Sequence, residues 1–399
     1  MHTHDARAVP ADAASDFTPA QIERSRARGR DTLSLRYASA LTGLAVPLLL
    51  GFTPLGAGLV RAAGALAGGG WIARAALGAV ALQLLLTLVG LPVSLRAERA
   101  NRRWGLSTRG NRLFAADAVK GLLLGAVLLA AVSVGLYALL RARPDSWWLI
   151  AAPSAAALVV LLSFLLPVLV EPLFNRFRPM PDGELRSTLL ELVGRSGIRV
   201  RDILVADASR RTTAANAYVS GIGRTRRVVV WDTTVDQAGP QEVAAIAAHE
   251  LGHVARRDVV TGTVVGALGS AVAVGLLAAA LHWGALLRAA GVDRAADPRS
   301  LPLVLALATL LGAVAGPVGN AFSRRIEARA DGYALELTRD PAAMVGMQRR
   351  LAVVNIADLA PRPLAVLLFA THPPTVARIA HARAWAGTHG VPVPPALAD

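Results

Sequence analysis

Six long apolar stretches divide the chain, and each is long enough to cross a lipid bilayer. They occupy residues 37–60, 75–95, 121–140, 147–170, 259–287 and 301–322. A transmembrane helix needs about 20 mainly apolar residues, and every one of these stretches meets that length. A single stretch of this kind also fits a helix buried in a soluble core, but the set of six predicts a multi-pass helical membrane protein.

The polar sequence between these stretches predicts how the chain is organised. We expect five parts, namely a cytoplasmic N-terminal helix at residues 1–36, four spans within residues 37–170, a soluble part with a catalytic helix at residues 171–258, two further spans within residues 259–322, and a soluble C-terminal part at residues 323–399. Runs rich in Val and Ile predict strands in the first soluble part, including a hairpin with arms at residues 217–222 and 226–231. The expected fold class is mainly α, with a small β-hairpin or sheet.

Composition supports the membrane interpretation and excludes another class. Apolar residues make up 54% of the 399 residues, which is too many for an ordinary soluble protein. The formal net charge of +15 is typical of some nucleic-acid-binding proteins. Here, however, the arginines flank the apolar stretches and no aromatic residues are interleaved with them to stack on bases. We therefore expect the lipid bilayer, and no nucleic acid, as a partner.

The distribution of basic residues predicts the topology. The N-terminal 36 residues hold six basic residues and the loop at residues 96–120 holds seven, whereas the loops after the first, third and fifth stretches hold two, two and three. Because basic loops stay in the cytoplasm, we expect both soluble parts on the cytoplasmic side. The chain has a single lysine among many arginines, which is typical of a GC-rich bacterial genome and points to a bacterial plasma membrane.

The pattern H-E-x-x-H at residues 249–253 carries the chemistry. In a helix, His249 and His253 lie one turn apart on one face, so both imidazoles can bind the same zinc ion while Glu250 lies beside it. A zinc ion lowers the pKa of a water molecule it binds to about 7, so a nearby carboxylate can take the proton. The pattern arises by chance in roughly one in a hundred chains of this length. The helix start at Pro240, followed by an apolar stripe, favours the functional interpretation.

A catalytic zinc site needs a third protein ligand, and the chain offers no cysteine for it. A histidine six residues after the second one would indicate a metzincin, but that position is Val259. Glu327 and Asp331 lie four residues apart in a later predicted helix. Glu327 can therefore coordinate the metal while Asp331 accepts the free ring N–H of a ligating histidine. From spacing alone, the two carboxylates equally fit an exposed acidic pair between arginines.

Glu327-x-x-Ala330-Asp331 after H-E-x-x-H resembles the type I CAAX prenyl protease family, the sterile-24 type of integral-membrane zinc metallopeptidase. Further similar segments are residues 104–108 with Asp117 and Lys120, residues 171–177, 182–185, 216–218 and 228–233, and residues 371–374 with Arg378. The resemblance covers about residues 16–387. It implies a helical membrane barrel around a large water-filled chamber with a gluzincin-like zinc site. Eukaryotic members have one more span before the segment matching residues 16–37, so we expect six spans here, which leaves the closure of the chamber open.

The resemblance also implies roles for residues outside the zinc motif. His372 is the candidate hydrogen-bond donor to the oxyanion, although before two prolines it also fits a cap on the last helix. Asn216, Ala217 and Tyr218 are expected to hold the substrate backbone by strand addition, although Asn216 also fits a turn. Arg378 is expected to bind substrate.

Three functional hypotheses follow. The first is a CAAX prenyl protease 1-like endopeptidase with one zinc ion per chain, held by His249, His253 and Glu327, with Glu250 as general base. Its family removes the three residues after a prenylated cysteine, so the expected partner is a peptide or protein substrate that is lipidated or membrane-associated. The second is a membrane quality-control protease like the heat-shock protease HtpX. The third is a transporter or scaffold with an inert motif, which the intact Glu250 argues against.

Overall fold

The computed structural model describes residues 13–165, 169–221 and 223–397. Parts of four expectations lie outside the described residues, namely the start of the N-terminal helix, residues 166–168 of the fourth predicted span, Ile222 of the hairpin, and residues 398–399 of the C-terminal part. The helices are α1 (Pro19–Gly51), α2 (Pro54–Ala65), α3 (Trp71–Arg103), α4 (Asn111–Ala142), α5 (Trp147–Leu165), α6 (Glu171–Phe174), α7 (Glu184–Ser196), α8 (Asp232–Gln237), α9 (Pro240–Ala255), α10 (Asp258–Leu281), α11 (Gly284–Ala289), α12 (Leu301–Thr338), α13 (Pro341–Val354), α14 (Pro363–Phe369) and α15 (Thr375–Thr388). The strands are β1 (Phe177–Pro179), β2 (Asp202–Ala206), β3 (Ala217–Ser220) and β4 (Arg227–Trp231).

Six helices in the described part of the chain are long and apolar enough to cross a membrane, which confirms the predicted number of spans. They are α1, α3, α4, α5, α10 and the helix that includes α12. Many of their large apolar side chains are exposed, as expected for surfaces that face lipid. The protein is therefore a multi-pass membrane protein.

The first span differs from its predicted bounds. Helix α1 begins at Pro19, where Thr18 and Gln21 form a reciprocal capping box, so the predicted N-terminal helix and the first span are one continuous helix. The same helix ends at Gly51, and the apolar residues from Pro54 onward form the separate helix α2. Proline lacks the N–H that a continuing helix needs, whereas it suits the first turn of a new helix that Thr53 caps. An apolar run alone did not reveal this break.

The six long helices form a closed ring. Helix α3 packs against α1 and α4, and α1 also packs against α12. Helix α10 packs along α5 and contacts α12, while α4 contacts α5 and so completes the circuit. The six spans thus close on themselves, which the sequence had left open.

The two soluble parts of the chain fold together around helix α9. Helix α9 packs against α7, α12, α13 and β3. Its residues from Val243 to Ala248 are buried in one continuous apolar core with side chains of the sheet, α13 and α15. The H-E-x-x-H motif therefore lies on a helix that is largely buried within the soluble part.

A four-stranded sheet flanks this helix in the order β1-β2-β4-β3. Strands β3 and β4 pair in antiparallel register, with Ala217 opposite Val230, as the predicted hairpin requires. Strands β2 and β4 run parallel, which a hairpin pattern alone did not indicate. Strand β3 lies at the end of the sheet, so one of its edges has no strand partner in the described residues.

The loop between α3 and α4 holds the segment that leads into β3. Ser107 and Thr212 form an isolated β-bridge, and the Arg211 guanidinium donates to both oxygens of Asp117 at 3.0 and 3.1 Å. The membrane helices thereby fix the start of the edge strand.

Candidate metal centre

Helix α9 positions the first two candidate ligands. Its start is fixed by Pro240 and by the Glu242 carboxylate, which accepts the Gly239 backbone N–H at 3.2 Å. His249 and His253 then lie one turn apart, and their Nε2 atoms face each other 3.2 Å apart. His249 is buried, whereas the side chain of His253 is partly accessible.

Helix α12 brings the third candidate ligand to the same point. A Cβ atom on Gly252 would lie 3.1 Å from the Ala330 carbonyl oxygen, so the absence of a side chain there permits the close approach of α9 and α12. Glu327 Oε2 lies 3.2 Å from His249 Nε2, and Oε1 lies 3.6 Å from His253 Nε2. The structure therefore brings together three groups that lie up to 78 residues apart in the chain.

These donors fit a zinc ion. Ligands about 2.0–2.2 Å from a tetrahedral ion lie roughly 3.3–3.6 Å from one another, close to the separations of these nitrogen and oxygen atoms. Glu327 Oε2 is buried and makes no hydrogen bond within the described residues, and an orphaned buried carboxylate oxygen is costly. A cation shared with the two imidazoles satisfies it. Two histidines and a glutamate are a common donor set of catalytic zinc sites.

A carboxylate and a guanidinium lie behind His249. Asp331 Oδ1 lies 2.9 Å from His249 Nδ1, as expected from the i, i+4 spacing to Glu327. Arg378 donates from Nε to Asp331 Oδ2 at 2.8 Å and from Nη2 to Oδ1 at 2.5 Å. Burial lowers the pKa of His249, but the carboxylates of Asp331 and Glu327 beside its two ring nitrogens outweigh burial and raise the pKa to about 9. A cation that binds His249 therefore competes with a proton.

The position of Arg378 differs from the expectation that it binds substrate. Its side chain is largely buried and its donors are directed at Asp331, with Nη2 also 3.4 Å from His249 Nδ1. A guanidinium engaged in this way supports the histidine and Asp331, and does not reach out to a peptide. The sequence placed Arg378 near the site, but only the fold showed which group it contacts.

Asp258 is a member of the site that the sequence did not reveal. Its Oδ2 lies 3.0 Å from His253 Nδ1, and its Oδ1 accepts from Arg329 Nη2 at 3.2 Å. Asp258 follows the end of α9 and opens α10, so it shares no helical face with His253. Helical spacing, which predicted Asp331, gives no signal across such a break.

Glu250 lies beside the candidate ligands. The ligand atoms of His249, Glu250 and His253 all lie within 4.8 Å of one another. Burial raises the pKa of Glu250 above its ordinary value, and the two histidines offset part of that increase. A carboxylate with a raised pKa next to a metal site is suited to accept a proton and later release it.

His372 reaches the same site from the segment between α14 and α15. Its Nε2 lies 3.2 Å from Glu327 Oε2, and its side chain is 58% exposed. Thr371 Oγ1 lies 2.9 Å from His372 Nδ1. When the threonine hydroxyl donates this hydrogen bond, Nε2 carries the proton and faces the site. The fold thus brings His372 to the candidate metal site, although it lies 119 residues beyond His253 in the chain.

The three residues predicted to hold substrate lie at the edge strand. Asn216 is exposed just before β3, and its backbone N–H and carbonyl are both occupied by Thr234 Oγ1, at 2.7 and 2.8 Å. Ala217 and Tyr218 begin β3 itself, which packs against α9. The Tyr218 hydroxyl donates to Glu171 at 3.4 Å.

The site and the ring of helices together define a multi-pass membrane metallopeptidase, and comparisons with known proteins agree. Peptidase family M48 matches residues 179–386, and the five-helix CAAX prenyl protease N-terminal domain matches residues 1–176. The chain is 31% identical over 308 residues to the uncharacterized metalloprotease YhfN of Bacillus subtilis, covering 75% of this chain and 71% of that protein. The chain belongs to peptidase family M48, in the sterile-24 branch that the sequence motifs predicted.

Two further similarities place the chain more closely. CAAX prenyl protease 1 of Saccharomyces cerevisiae is 31% identical over 185 residues, which cover 45% of this chain and 40% of that protein. The alignment thus spans less than half of the yeast protein. The crystal structure of Ste24p from S. mikatae superposes with a TM-score of 0.82 at 23% identity, over 92% of this chain and 90% of that one. The latter similarity establishes the shared fold.

Replacing Glu327 by Ala should abolish zinc binding, because two histidines alone leave the ion short of a protein ligand. Metal content of the purified protein, measured by inductively coupled plasma mass spectrometry, checks this expectation. Glu336→Ala, an exposed glutamate on the same helix, is the matched control and should keep wild-type zinc content. Full zinc occupancy in Glu327→Ala would remove Glu327 from the ligand set.

Proposed function

We propose that the protein is a zinc endopeptidase of the CAAX prenyl protease 1 type, with His249, His253 and Glu327 as ligands. The observation that carries the proposal is the convergence of these three donors, 3.2–3.6 Å apart, beside the buried carboxylate of Glu250. Asp331 supports His249 through its ring Nδ1. One zinc ion per chain is the stoichiometry that this single donor set supports.

Each side chain has a task in peptide hydrolysis. Zinc, when bound at this site, polarises the scissile carbonyl and makes a water molecule more acidic. Glu250 removes a proton from the attacking water and then delivers it to the leaving amine, so that one carboxylate serves as base and acid. His372 donates a hydrogen bond from Nε2 to the oxyanion of the tetrahedral intermediate. The ring is 58% exposed and its Nε2 lies 3.2 Å from Glu327 Oε2, so an oxyanion bound beside Glu327 is within reach of this nitrogen.

The substrate is held in an extended conformation along β3. Within the described residues, the outer edge of this strand has no strand partner, so it offers backbone donors and acceptors. Its first residues, Ala217 and Tyr218, lie in the strand that packs on the catalytic helix. Asn216 has its backbone groups tied to Thr234, so its exposed side chain is the part available to substrate. The edge strand thus gives affinity for any extended peptide, independent of its sequence.

An apolar cavity next to His253 favours substrates with an apolar or lipidated segment. The cavity has a volume of about 280 Å³ and is lined by side chains of α5, α10 and the end of β3, among them Val160, Phe164, Val219 and Val264. Because α5 and α10 are membrane-spanning, the cavity joins the bilayer region to the metal site. This arrangement and the names of the relatives support a membrane-associated peptide as substrate.

The quality-control hypothesis shares the chemistry and differs in substrates, and the comparisons with CAAX prenyl proteases favour the first hypothesis over it. The inert scaffold has no support from the site. A scaffold does not need a buried general base beside three converging metal donors, which are costly to maintain without a function.

Glu250→Gln should abolish turnover while zinc and the fold are retained, because an amide cannot accept the water proton. Cleavage of a fluorogenic peptide by the purified protein, together with its zinc content, measures both properties. Glu191→Gln, an exposed change on α7, serves as the control and should cleave normally. Comparing the proteomes of membranes that hold wild-type or Glu250→Gln protein then identifies natural substrates. Near wild-type cleavage by Glu250→Gln would contradict its role as general base.

His372→Ala should lower kcat by about 100- to 1,000-fold, because a rigid donor directed at the oxyanion acts mainly in the transition state. KM and zinc content should change little. Steady-state kinetics and metal analysis check this, with His381→Ala, an exposed histidine on α15, as the control. Loss of zinc would instead make His372 a ligand, and unchanged activity would reduce it to a cap on the final helix.

We also propose that the site faces the bacterial cytoplasm, on the basis of the basic loops beside it. A topology reporter fused after Gly183 should then be active on the cytoplasmic side, and one fused after Arg143 or Arg294 on the outer side. Paired phosphatase and fluorescent-protein fusions measure the two locations independently. An outer location for Gly183 would contradict the charge argument without affecting the chemistry.

A further inference from the structure

We propose that Asp258 is a positioning residue for the metal centre, supplied by the first turn of the fifth membrane-spanning helix. The inference rests on the proposed function, because it assigns a role toward the zinc ion held by His253. Asp258 is distinct from Asp331, which supports the other histidine.

The contacts of Asp258 leave its carboxylate little freedom. Only 6% of the residue is exposed, and its two oxygens are engaged from opposite sides. His253 Nδ1 approaches Oδ2 at 3.0 Å, while Arg329 Nη2 from α12 donates to Oδ1 at 3.2 Å. A carboxylate that accepts the Nδ1–H of a neutral imidazole leaves the lone pair on Nε2, the atom that faces Glu327. Asp258 therefore fixes both the tautomer and the ring orientation that a metal ligand needs.

The backbone around Asp258 is equally constrained. Helix α9 ends at Ala255 and α10 begins at Asp258, so two residues connect the catalytic helix to the membrane span. Arg257 occupies the left-handed region with φ 56°, which is unfavourable for a residue with a side chain and persists only where the surroundings enforce it. The two-residue connection between α9 and α10 therefore holds Asp258 at a fixed distance from His253.

Each of the two ligand histidines thus has its own carboxylate, and the two carboxylates come from different helices. Asp331 belongs to α12, on the side of Glu327, whereas Asp258 belongs to α10. Without Asp258 the His253 ring is free to rotate about its Cβ–Cγ bond and to adopt the other tautomer. The loss should appear in metal affinity, even where the fold is unchanged.

The experiment compares zinc affinity in the full-length protein in detergent, by competition with a chromogenic chelator. Asp258→Ala should bind zinc about 10–100-fold more weakly than wild type, the range typical for loss of a carboxylate behind a histidine ligand. Asp258→Asn, which keeps an acceptor oxygen but loses the charge, should fall between the two. The visible spectrum of the cobalt-substituted protein should also change in Asp258→Ala, because a displaced imidazole alters the ligand field.

Asp297→Asn is the matched control. Asp297 precedes the sixth membrane-spanning helix and pairs with Arg299 at 2.6 Å, as Asp258 opens the fifth span and pairs with Arg329. Any purely structural effect of removing a carboxylate at the start of a span should appear in both variants as a lower thermal midpoint of the metal-free protein. Zinc affinity should fall only in the Asp258 variants.

The outcomes separate this inference from the proposed function. Wild-type zinc affinity and an unchanged cobalt spectrum in folded Asp258→Ala overturn the positioning role while leaving the ligand set intact. If the wild-type protein itself binds no zinc, the proposed function fails first and the inference fails with it. An equal loss of affinity in Asp297→Asn also overturns it, because the effect is then not specific to His253.

Discussion

The close approach of α9 and α12 at Gly252 is the contact on which the site depends. The two helices carry all three candidate ligands, and a side chain at Gly252 would meet the Ala330 backbone. Because protein interiors pack densely, one extra methyl group at this contact requires the helices to move apart. A separation of a few tenths of an ångström would already shift Glu327 relative to the imidazoles by more than the roughly 0.2 Å tolerance of metal–ligand distances. Gly252 therefore matters through packing, although it lies within a motif known for its chemistry.

Helix α12 links the membrane ring to the site without a break. Its 38 residues extend over about 57 Å at 1.5 Å per residue, roughly twice the thickness of the hydrocarbon core. The first part of the helix packs beside α1 in the ring, and the last part supplies Glu327 and Asp331. A single continuous helix thus places Glu327 and Asp331 at one end of the ring. This continuity connects the ring of membrane helices directly to the candidate metal site.

Buried charge around the site is balanced pair by pair. Asp331 is almost fully buried and would be costly to leave alone, but Arg378 engages both of its oxygens. Removing one partner of such a pair typically costs about 3–5 kcal/mol, because the other charge stays buried without compensation. Asp258 and Arg329 form a similar pair nearer the surface, where the arginine is half exposed. Through Asp331 and Asp258, the two pairs contact the Nδ1 atoms of His249 and His253. The Nε2 atoms of both histidines therefore face the candidate metal site.

The sequence by itself determined the class of protein and much of the site. Six apolar stretches fixed the number of spans, and helical spacing placed His249, Glu250 and His253 together, with Asp331 one turn from Glu327. In each case the residues lie within a few positions of one another on the same helix, where the helical period sets which side chains share a face. Spacing alone did not distinguish Glu327 from an exposed acidic residue, and it was the family motif that singled out this glutamate.

Only the tertiary structure decided the contacts between elements far apart in the chain. The structure shows that the first span ends at Gly51 and that the six helices form a ring. It also shows that Arg378 donates to Asp331 and that Asp258 lies against His253. None of these follows from a local pattern, because each depends on how two helices pack or on the path of the backbone at a break. A side chain's partner is set by the whole fold, whereas its position on its own helix is set by the sequence.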